Sequence, residues 1–320
     1  MSQYLWVEKY RPTKLDDISS QSIVINTLRN VLQTKKIPHL LFYGPSGCGK
    51  TSTILALAQE LFGTKINSNR IMELNASDER GINIIREKIK KYAKQVTNND
   101  EDLPPWKLII LDEADTMTAD SQFALRRIIE QYSKITRFCI ICNYHTKIIE
   151  PIISRCSVFQ FRPIGDTDII KKLQYICTSE NVTYTDELIN KIIKLSRGDL
   201  RKSINLLQKC YNTYGDKFNI DVLDEISGII PKNKFNDLMQ YVLNKDTNNT
   251  DKILLSLHYD GYSLVNQILL FHNYIIESNI DSCKKAEIIY MLSLIDHSLV
   301  KGCNEYIQFI KLVYYIMKTI

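Results

Sequence analysis

The sequence predicts an α/β domain with a mostly parallel sheet, followed by a small helical domain and a C-terminal all-helical domain. In the first half, short β-rich runs alternate with amphipathic stretches, which is typical of a parallel sheet covered by helices. Strand-like runs cease after residue 163, and long stretches with apolar residues at helical spacing follow residue 231. We therefore expect domains at 1–163, 164–230 and 231–320, which agrees with a length of 320 residues.

The expected elements follow from these runs. Five segments of the first domain read as strands: 39–44, 71–76, 107–114, 137–143 and 157–163. Helices are expected between them at 51–63, 83–94 and 120–133. Further helices are expected at 185–196, 199–210, 264–276 and 305–318. The acidic, Asn-rich segment 97–105 is predicted to be an exposed loop.

The composition is that of a soluble globular protein, with 44% hydrophobic and 24% charged residues. No run reaches the roughly 18 apolar residues of a membrane span, and no secretory signal is visible. A net charge of +5 permits binding to a polyanion without requiring it. Of the eight cysteines, Cys139 and Cys142 form a C-x-x-C inside an apolar run, where buried, reduced thiols are favoured over a metal or redox site.

A phosphate-binding loop is the first motif that carries chemistry. The segment 44–51 matches G-x-x-x-x-G-K-S/T directly after an apolar run and before a helix. Its residues are Gly44, Pro45, Ser46, Gly47, Cys48, Gly49, Lys50 and Thr51. The glycines let consecutive N–H groups face an anion, and the helix N-terminus adds positive potential there. Lys50 is expected to reach the β- and γ-phosphates, and the Thr51 hydroxyl to ligate Mg²⁺.

The second half of an ATPase site is predicted at 108–115. An apolar run ends in Asp112, which is expected to hold the metal and its water shell, and Glu113 is expected to polarise the attacking water. Two acidic residues at the start of a solvated loop are the plainer alternative. The phosphate-binding loop favours the hydrolytic interpretation, with ATP and Mg²⁺ as the ligands. These two motifs alone also suit other NTPases, including helicases.

Further motifs narrow the class of NTPase. The segments 6–12, 73–81, 141–144, 154–156 and 198–202 read WVEKYRP, ELNASDERG, ICNY, SRC and GDLRK. In this order they resemble the AAA+ small subunits of replication factor C. The resemblance covers about the first 230 residues and continues more weakly to 302–308, which is similar to a collar helix. The resemblance implies an AAA+ core, a helical lid and a collar. The eukaryote-type branch of the family is indicated by two segments, 104–107 and 137–144.

The resemblance also implies roles for single residues. The arm containing Val7, Tyr10, Arg11 and Pro12 would surround the adenine. Asn143, at a strand end, would sense the γ-phosphate; without the resemblance it reads as a turn residue. Arg201 would touch the γ-phosphate of the same subunit, and otherwise reads as a surface arginine.

Arg155, in the S-R-C motif, resembles an arginine finger that enters the neighbouring subunit's ATP site. The chain would then serve a neighbour and need a neighbour's arginine in turn.

A basic helix is the expected DNA contact. Arg86, Lys90 and Lys94 recur at i, i+4 and i+8, with Arg80 just before them, and such a row can follow a phosphate backbone. Ile82, Ile85 and Ile89 are expected to face the core. A solvated basic face is the alternative from the charge pattern alone. The resemblance to a family helix that lines a DNA channel favours the DNA interpretation.

The resemblance, added to the ATPase motifs, implies a subunit of an ATP-dependent clamp loader that places a sliding clamp on primer–template DNA. The implied partners are other loader subunits in a hetero-pentamer, the ring-shaped clamp, and DNA bound without sequence specificity. Expected locations are the nucleus or, for a viral source, a host-cell replication compartment. Other AAA+ DNA-remodelling ATPases, such as a branch-migration helicase or origin factor, are the alternative, and a non-catalytic loader scaffold is a second one. Subunit identity and replicative or checkpoint membership stay open.

Overall fold

The computed structural model describes residues 5–63, 70–76, 82–95, 103–215, 223 and 226–320, with side chains within 82–95 from residue 87 onward. The chain divides into two compact units, Met1–Gln208 and Lys209–Ile320. The predicted domain boundaries at 163/164 and 230/231 stay a prediction. No helix of the described residues is long and apolar enough to cross a membrane.

The first unit is built on five parallel strands in the order β2-β3-β4-β1-β5. The strands are β1 (His39–Tyr43), β2 (Ile71–Asn75), β3 (Lys107–Asp112), β4 (Thr136–Cys142) and β5 (Cys156–Gln160). Its helices are α1 (Trp6–Lys9), α2 (Ser22–Thr34), α3 (Lys50–Phe62), α4 (Ile82–Lys94), α5 (Ala119–Tyr132), α6 (Glu150–Ile153), α7 (Asp166–Ser179), α8 (Asp186–Ser196) and α9 (Leu200–Tyr214), the last running past residue 208. Short 3₁₀ turns cover Leu15–Asp17, Ala114–Thr116 and His145–Lys147. The predicted α/β class with a parallel sheet is confirmed.

Both faces of the sheet are covered by helices, as expected for buried parallel strands. One apolar cluster contains Phe42, Ile110 and residues of α2 and α3. The opposite cluster contains Leu41, Ile109 and residues of α4 and α5. Because side chains alternate along a strand, neighbours in sequence enter opposite clusters. Cys139 and Cys142, three positions apart on β4, likewise lie in opposite clusters, so the two thiols do not converge on one metal ion.

The third strand ends earlier than its predicted bound of 114. Glu113 has a φ of 53°, in the left-handed region, and its N–H donates to Asp112 Oδ1 at 2.8 Å. This turn ends the extended backbone at Asp112 and directs the next residues into a 3₁₀ turn. The fifth strand also stops early, at Gln160, although Phe161 N still donates to Tyr43 O at 2.8 Å.

Several helices begin at a side chain that satisfies a free backbone N–H, which stabilises a helix start by about 1 kcal/mol. In α5, Thr118 Oγ1 accepts from Ser121 N at 3.4 Å. In α8, Thr185 Oγ1 accepts from Leu188 N at 3.3 Å. These polar residues directly before apolar periodic runs explain why the sequence located the helices well.

All regular secondary structure in the described residues of the second unit is helical. Its helices are α10 (Lys232–Leu243), α11 (Thr247–Tyr259), α12 (Leu264–Glu277), α13 (Ser282–Val300) and α14 (Glu305–Thr319). Their apolar faces form one cluster that includes Leu238, Phe271 and Leu312. Gln267 is fully buried. Its Oε1 accepts a hydrogen bond from Ile230 N at 3.1 Å, and its Nε2 donates one to Gly228 O at 2.7 Å. The predicted all-helical C-terminal region is confirmed.

Candidate nucleotide-binding site

The residues predicted to bind nucleotide meet at one edge of the sheet. Strands β3, β4 and β1 are neighbours and run parallel, so their carboxyl ends lie side by side. Asp112 ends β3, Asn143 follows β4, and the phosphate-binding loop follows β1. Ligands of open parallel sheets bind at this edge.

The loop depends on glycines at close approaches. Gly47 and Gly49 have φ values of 68° and 93°, which other residues adopt only with strain. A Cβ at Gly44 would overlap Phe161 O, and one at Gly47 would overlap the Asp199 carboxylate. The loop then continues into α3, whose first-turn N–H groups face the same edge.

Lys50 is held inside the loop. Its side chain is 8% exposed, and Nζ donates to Gly44 O and Pro45 O, each at 2.8 Å. Nζ also donates to Asn143 Oδ1 at 2.9 Å. Three oxygen acceptors therefore hold the ammonium where an incoming phosphate would compete for it.

Thr51 and Asp112 form the second contact of the site. Thr51 Oγ1 donates to Asp112 Oδ2 at 2.6 Å, which joins the start of α3 to the end of β3. A hydroxyl and a carboxylate side by side are the hard oxygen donors that Mg²⁺ prefers. Glu113 is exposed at the rim of the pocket, next to Asp112. The donor set fits a hydrated Mg²⁺ bound with phosphate.

A pocket of about 220 Å³ lies over the loop. Predicted residues that line it come from the arm, the loop, the strand ends and α9; they are Val7, Tyr10, Arg11, Pro12, Ser46, Gly47, Cys48, Gly49, Lys50, Thr51, Asp112, Glu113, Asn143 and Arg201. Other lining residues were not identified from the sequence: Asp17, Ile18, Ser19, Ser52, Cys142, Ile164, Lys172, Leu200 and Ile204. Ser52 adjoins a recognised motif, whereas Lys172 lies far from every motif and had no sequence signal. Gly44 and Pro45 contribute their carbonyl oxygens to Lys50 instead.

The N-terminal arm is attached to the helices that follow the sheet. Trp6 is buried, and its backbone N–H donates to Gln208 Oε1 at 3.0 Å. Tyr10 OH donates to Glu180 Oε1 at 2.6 Å, and Lys9 Nζ forms an ion pair with the same oxygen at 2.7 Å. These bonds fix the segment that lines the pocket with Val7 and Arg11.

Two cysteines also line the pocket. Burial raises the pKa of the Cys142 thiol to about 12. Burial likewise raises the pKa of the Cys48 thiol, although the nearby Lys50 charge partly opposes the shift. Both are therefore protonated near neutral pH and behave as small apolar side chains.

Arg155 lies outside the residues that line this pocket. Its Nη1 donates to Pro151 O at 2.7 Å, and Nη2 forms an ion pair with Glu130 Oε1 at 2.6 Å. About a third of its side chain is exposed. The predicted arginine finger is thus on the surface of its own chain.

The basic helix is described in part. Arg80 lies outside the described residues, as do the side chains of Arg86, Ile82 and Ile85. Lys90 and Lys94 are exposed, and Ile89 is buried as predicted. The buried Lys107 ammonium donates to Tyr92 O and Gln95 O and so caps the C-terminal end of α4. Burial lowers the pKa of Lys107, yet the carbonyls provide the partners that an ammonium needs there.

The fold, together with the phosphate-binding loop and Asp112 at the carboxyl edge of the sheet, defines a P-loop ATPase of the AAA class. The model of the ATPase family associated with various cellular activities matches residues 40–164. The RCF1/5-like AAA+ ATPase lid model matches 171–211, and the replication factor C C-terminal domain model matches 230–315. The chain belongs to the replication factor C small-subunit family.

Relatives matched over most of their length support the same family. Replication factor C subunit 2 of Schizosaccharomyces pombe is 42% identical over 313 residues, covering 96% of this chain and 92% of the relative. Replication factor C subunit 4 of Homo sapiens is 41% identical over 320 residues, covering 98% and 88%. The predicted family is confirmed.

Solved structures share the fold. The RuvB Holliday junction branch migration motor of Thermotoga maritima aligns with a TM-score of 0.53, 17% identity and coverage of 72% of this chain and 79% of that chain. At this identity the likeness concerns the fold alone, and it confirms the AAA+ architecture.

Proposed function

We propose that this chain is an ATP-hydrolysing subunit of a clamp loader, which opens a ring-shaped sliding clamp and places it on primer–template DNA. Its partners are other replication factor C-type subunits, arranged as a hetero-pentamer. The observation that carries the proposal is the joining of Lys50, Asn143, Thr51 and Asp112 at one sheet edge of a chain whose relatives are replication factor C subunits.

Each residue of the site has a part in ATP hydrolysis. The loop amides and the Lys50 ammonium bind the β- and γ-phosphates, and Asn143 holds Lys50 in place. Thr51 and Asp112 would hold Mg²⁺, which supplies positive charge that offsets the phosphate oxygens. Glu113 orients the attacking water and accepts its proton, and Arg201 binds the γ-phosphate from the lid.

The N-terminal arm binds the adenine base of ATP. Val7, Tyr10, Arg11 and Pro12 line the pocket and enclose the adenine. Because Tyr10 is hydrogen-bonded to Glu180, its ring has a fixed position before the nucleotide arrives. Preorganisation of this kind lowers the entropic cost of binding.

The neighbouring subunit completes the cycle. Arg155 is exposed and lies outside its own pocket, which suits a group that enters the site of the next subunit. Bound primer–template DNA aligns these arginines, and hydrolysis releases the clamp and the DNA together. ATP thus acts as a conformational switch through ordered γ-phosphate contacts.

DNA is held along α4 without sequence readout. Lys90 and Lys94 are one helical turn apart and both exposed, as phosphate contacts must be. The nuclear replication compartment is the proposed location, since eukaryotic relatives in this family favour it over the viral alternative.

The test is ATP turnover by the complex of this chain with its co-encoded loader subunits. Turnover is measured without ligand, with primed DNA, and with primed DNA plus the cognate clamp. We expect strong stimulation only when both are present, and Glu113→Gln in this chain should reduce it. Stimulation by DNA alone, indifferent to the clamp, would instead support a DNA-remodelling ATPase.

A further inference from the structure

The phosphate-binding loop is hydrogen-bonded directly to the start of α9. Ser46 Oγ donates to Asp199 Oδ2 at 2.7 Å, across 153 positions of sequence. Ser46 occupies one of the unrestricted positions of the loop motif, where nucleotide binding requires no hydroxyl. The Ser46 hydroxyl is therefore available for a contact that the motif itself does not explain.

Asp199 is held rigidly for this contact. Its side chain is 9% exposed, and its second carboxylate oxygen, Oδ1, accepts from Lys202 N at 3.0 Å, which caps α9. Arg197 and Gly198 before it have left-handed φ values of 53° and 79°. This turn brings the carboxylate to the loop, with Gly198 packed close to Pro163 and Ile164.

Asp199 reaches the loop from outside the pocket lining of the described residues. A Cβ at Gly47 would overlap Asp199 Oδ1, so loop and carboxylate touch directly. Leu200 and Arg201, the next two residues of α9, line the pocket, whereas Asp199 is absent from the lining within the described residues. The carboxylate therefore contacts the loop without occupying the space of the phosphates.

We propose that Ser46 and Asp199 form a latch that fixes α9 against the phosphate-binding loop, and that Asp199 is a positioning residue for Arg201. Only Leu200 lies between Asp199 and Arg201, which lines the pocket. A shift of the loop upon phosphate binding therefore moves the first turn of α9, and with it Arg201. This inference rests on the proposed ATPase function.

The first test needs no nucleotide. Amide hydrogen exchange of the full chain is followed in a peptide covering residues 196–206. Ser46→Ala removes the donor, and we expect about tenfold faster exchange of the Lys202 and Ser203 amides, the effect of one hydrogen bond to a charged group. Ser46→Thr, which keeps a hydroxyl, should restore slow exchange.

Two further variants make this result specific. Thr27→Ala removes a hydroxyl that donates to Ile23 O within α2, and it should leave the 196–206 exchange unchanged. Asp199→Ser keeps a good capping residue but is too short to reach Ser46, so it should match Ser46→Ala. Exchange in Ser46→Ala that equals the wild type would overturn the latch.

The second test asks whether the latch acts through Arg201. In the assembled complex, Ser46→Ala should lower ATP turnover about tenfold in the unmodified chain but less than twofold in an Arg201→Ala chain. Equal losses in both backgrounds would overturn the positioning role. An unmodified complex that hydrolyses no ATP would contradict the proposed function instead, and the exchange test would still decide the latch.

Discussion

The Arg155 guanidinium and the Glu130 carboxylate form an ion pair in which Nη2 and Oε1 are 2.6 Å apart. Glu130 also accepts from Arg126 Nε at 3.0 Å. This Arg126 hydrogen bond is the largest effect that lowers the pKa of Glu130, with the charges of Arg126 and Arg155 adding to it. Because exposed ion pairs contribute little to stability, Arg155 can leave this pair for a phosphate at small cost.

Replacement of Arg155 should separate binding from catalysis. Arg155→Ala is expected to leave nucleotide affinity of this chain unchanged, because Arg155 lies outside its own pocket. If the proposed finger role holds, turnover at the neighbouring subunit's site should fall by roughly 10³ or more, the effect of arginine fingers in other phosphoryl-transfer enzymes. Fluorescent-nucleotide titration and single-turnover hydrolysis by the complex measure the two effects.

The control is Arg29→Ala, which removes another exposed, ion-paired arginine from the same unit. It should change neither quantity. Unaltered turnover by the Arg155→Ala complex would remove the finger assignment, and a large loss of nucleotide affinity would show that Arg155 acts on its own site.

Thr51 should couple nucleotide affinity to Mg²⁺. Thr51→Val is nearly the same size but lacks the hydroxyl that donates to Asp112 at 2.6 Å. We expect addition of Mg²⁺ to raise the ATP affinity of the wild type by at least about tenfold more than that of Thr51→Val, since a charge-assisted contact to the metal is lost. Thr51→Ser, which keeps the hydroxyl, should behave like the wild type. An equal Mg²⁺ effect in all three proteins would contradict this role.

The exposed lysines of α4 should set the salt dependence of DNA binding. Each phosphate contact contributes about 0.9 to the slope of log affinity against log salt. Lys90→Ala with Lys94→Ala should therefore reduce the slope for duplex DNA by about 1.8. Lys134→Ala with Lys194→Ala, two exposed lysines outside α4, serves as the control. A slope equal to that of the wild type would count against this helix.

His39 should make the first unit sensitive to acid. Burial and the nearby Arg137 charge lower its pKa from an ordinary value near 6.5 to about 4, and Nδ1 accepts from Phe138 N at 3.2 Å. The unfolded chain therefore binds a proton between pH 6.5 and 4 that the folded chain does not. Its contribution to stability is fully present above pH 6.5 and is lost as the pH falls toward 4.

Comparison with His39→Asn isolates this effect, because asparagine offers an acceptor oxygen but does not titrate. Between pH 7 and 4.5 the wild type should lose about 1.5 kcal/mol more unfolding free energy than the variant, after allowance for partial exposure. Urea unfolding at both pH values measures the difference. Parallel losses in the two proteins would exclude His39 as the cause.

Local patterns predicted the elements well because each depends on nearby residues. The β-rich runs and the Thr185 cap lie directly in the sequence, and the observed strands begin within a residue of the predicted ones. The strand ends were less accurate, since the left-handed turn at Glu113 has no sequence marker: φ > 0 is common at glycine but unusual at glutamate.

Local sequence patterns could not predict contacts between residues that are distant in the sequence. Lys50 and Asn143 are 93 positions apart, and only the strand order places them 2.9 Å from each other. The motif at 198–202 identified Arg201 as a candidate site residue. It gave no sign of the contact of Asp199 with Ser46, because that contact depends on the turn at Arg197 and Gly198. Glu130, the partner of Arg155, carried no signal at all, because an exposed glutamate on a helix is ordinary.

The N-terminal arm is attached to the first unit on both sides of the pocket-lining residues. Trp6, Lys9 and Tyr10 bond to Gln208 and Glu180, beyond the sheet. Leu15 N, five residues later, donates to Glu60 of α3, which packs on the sheet. The segment 11–14 therefore connects an anchor on the helices beyond the sheet with an anchor on α3. Because it is anchored at both ends, the part of the arm that lines the pocket has its position set before any ligand binds.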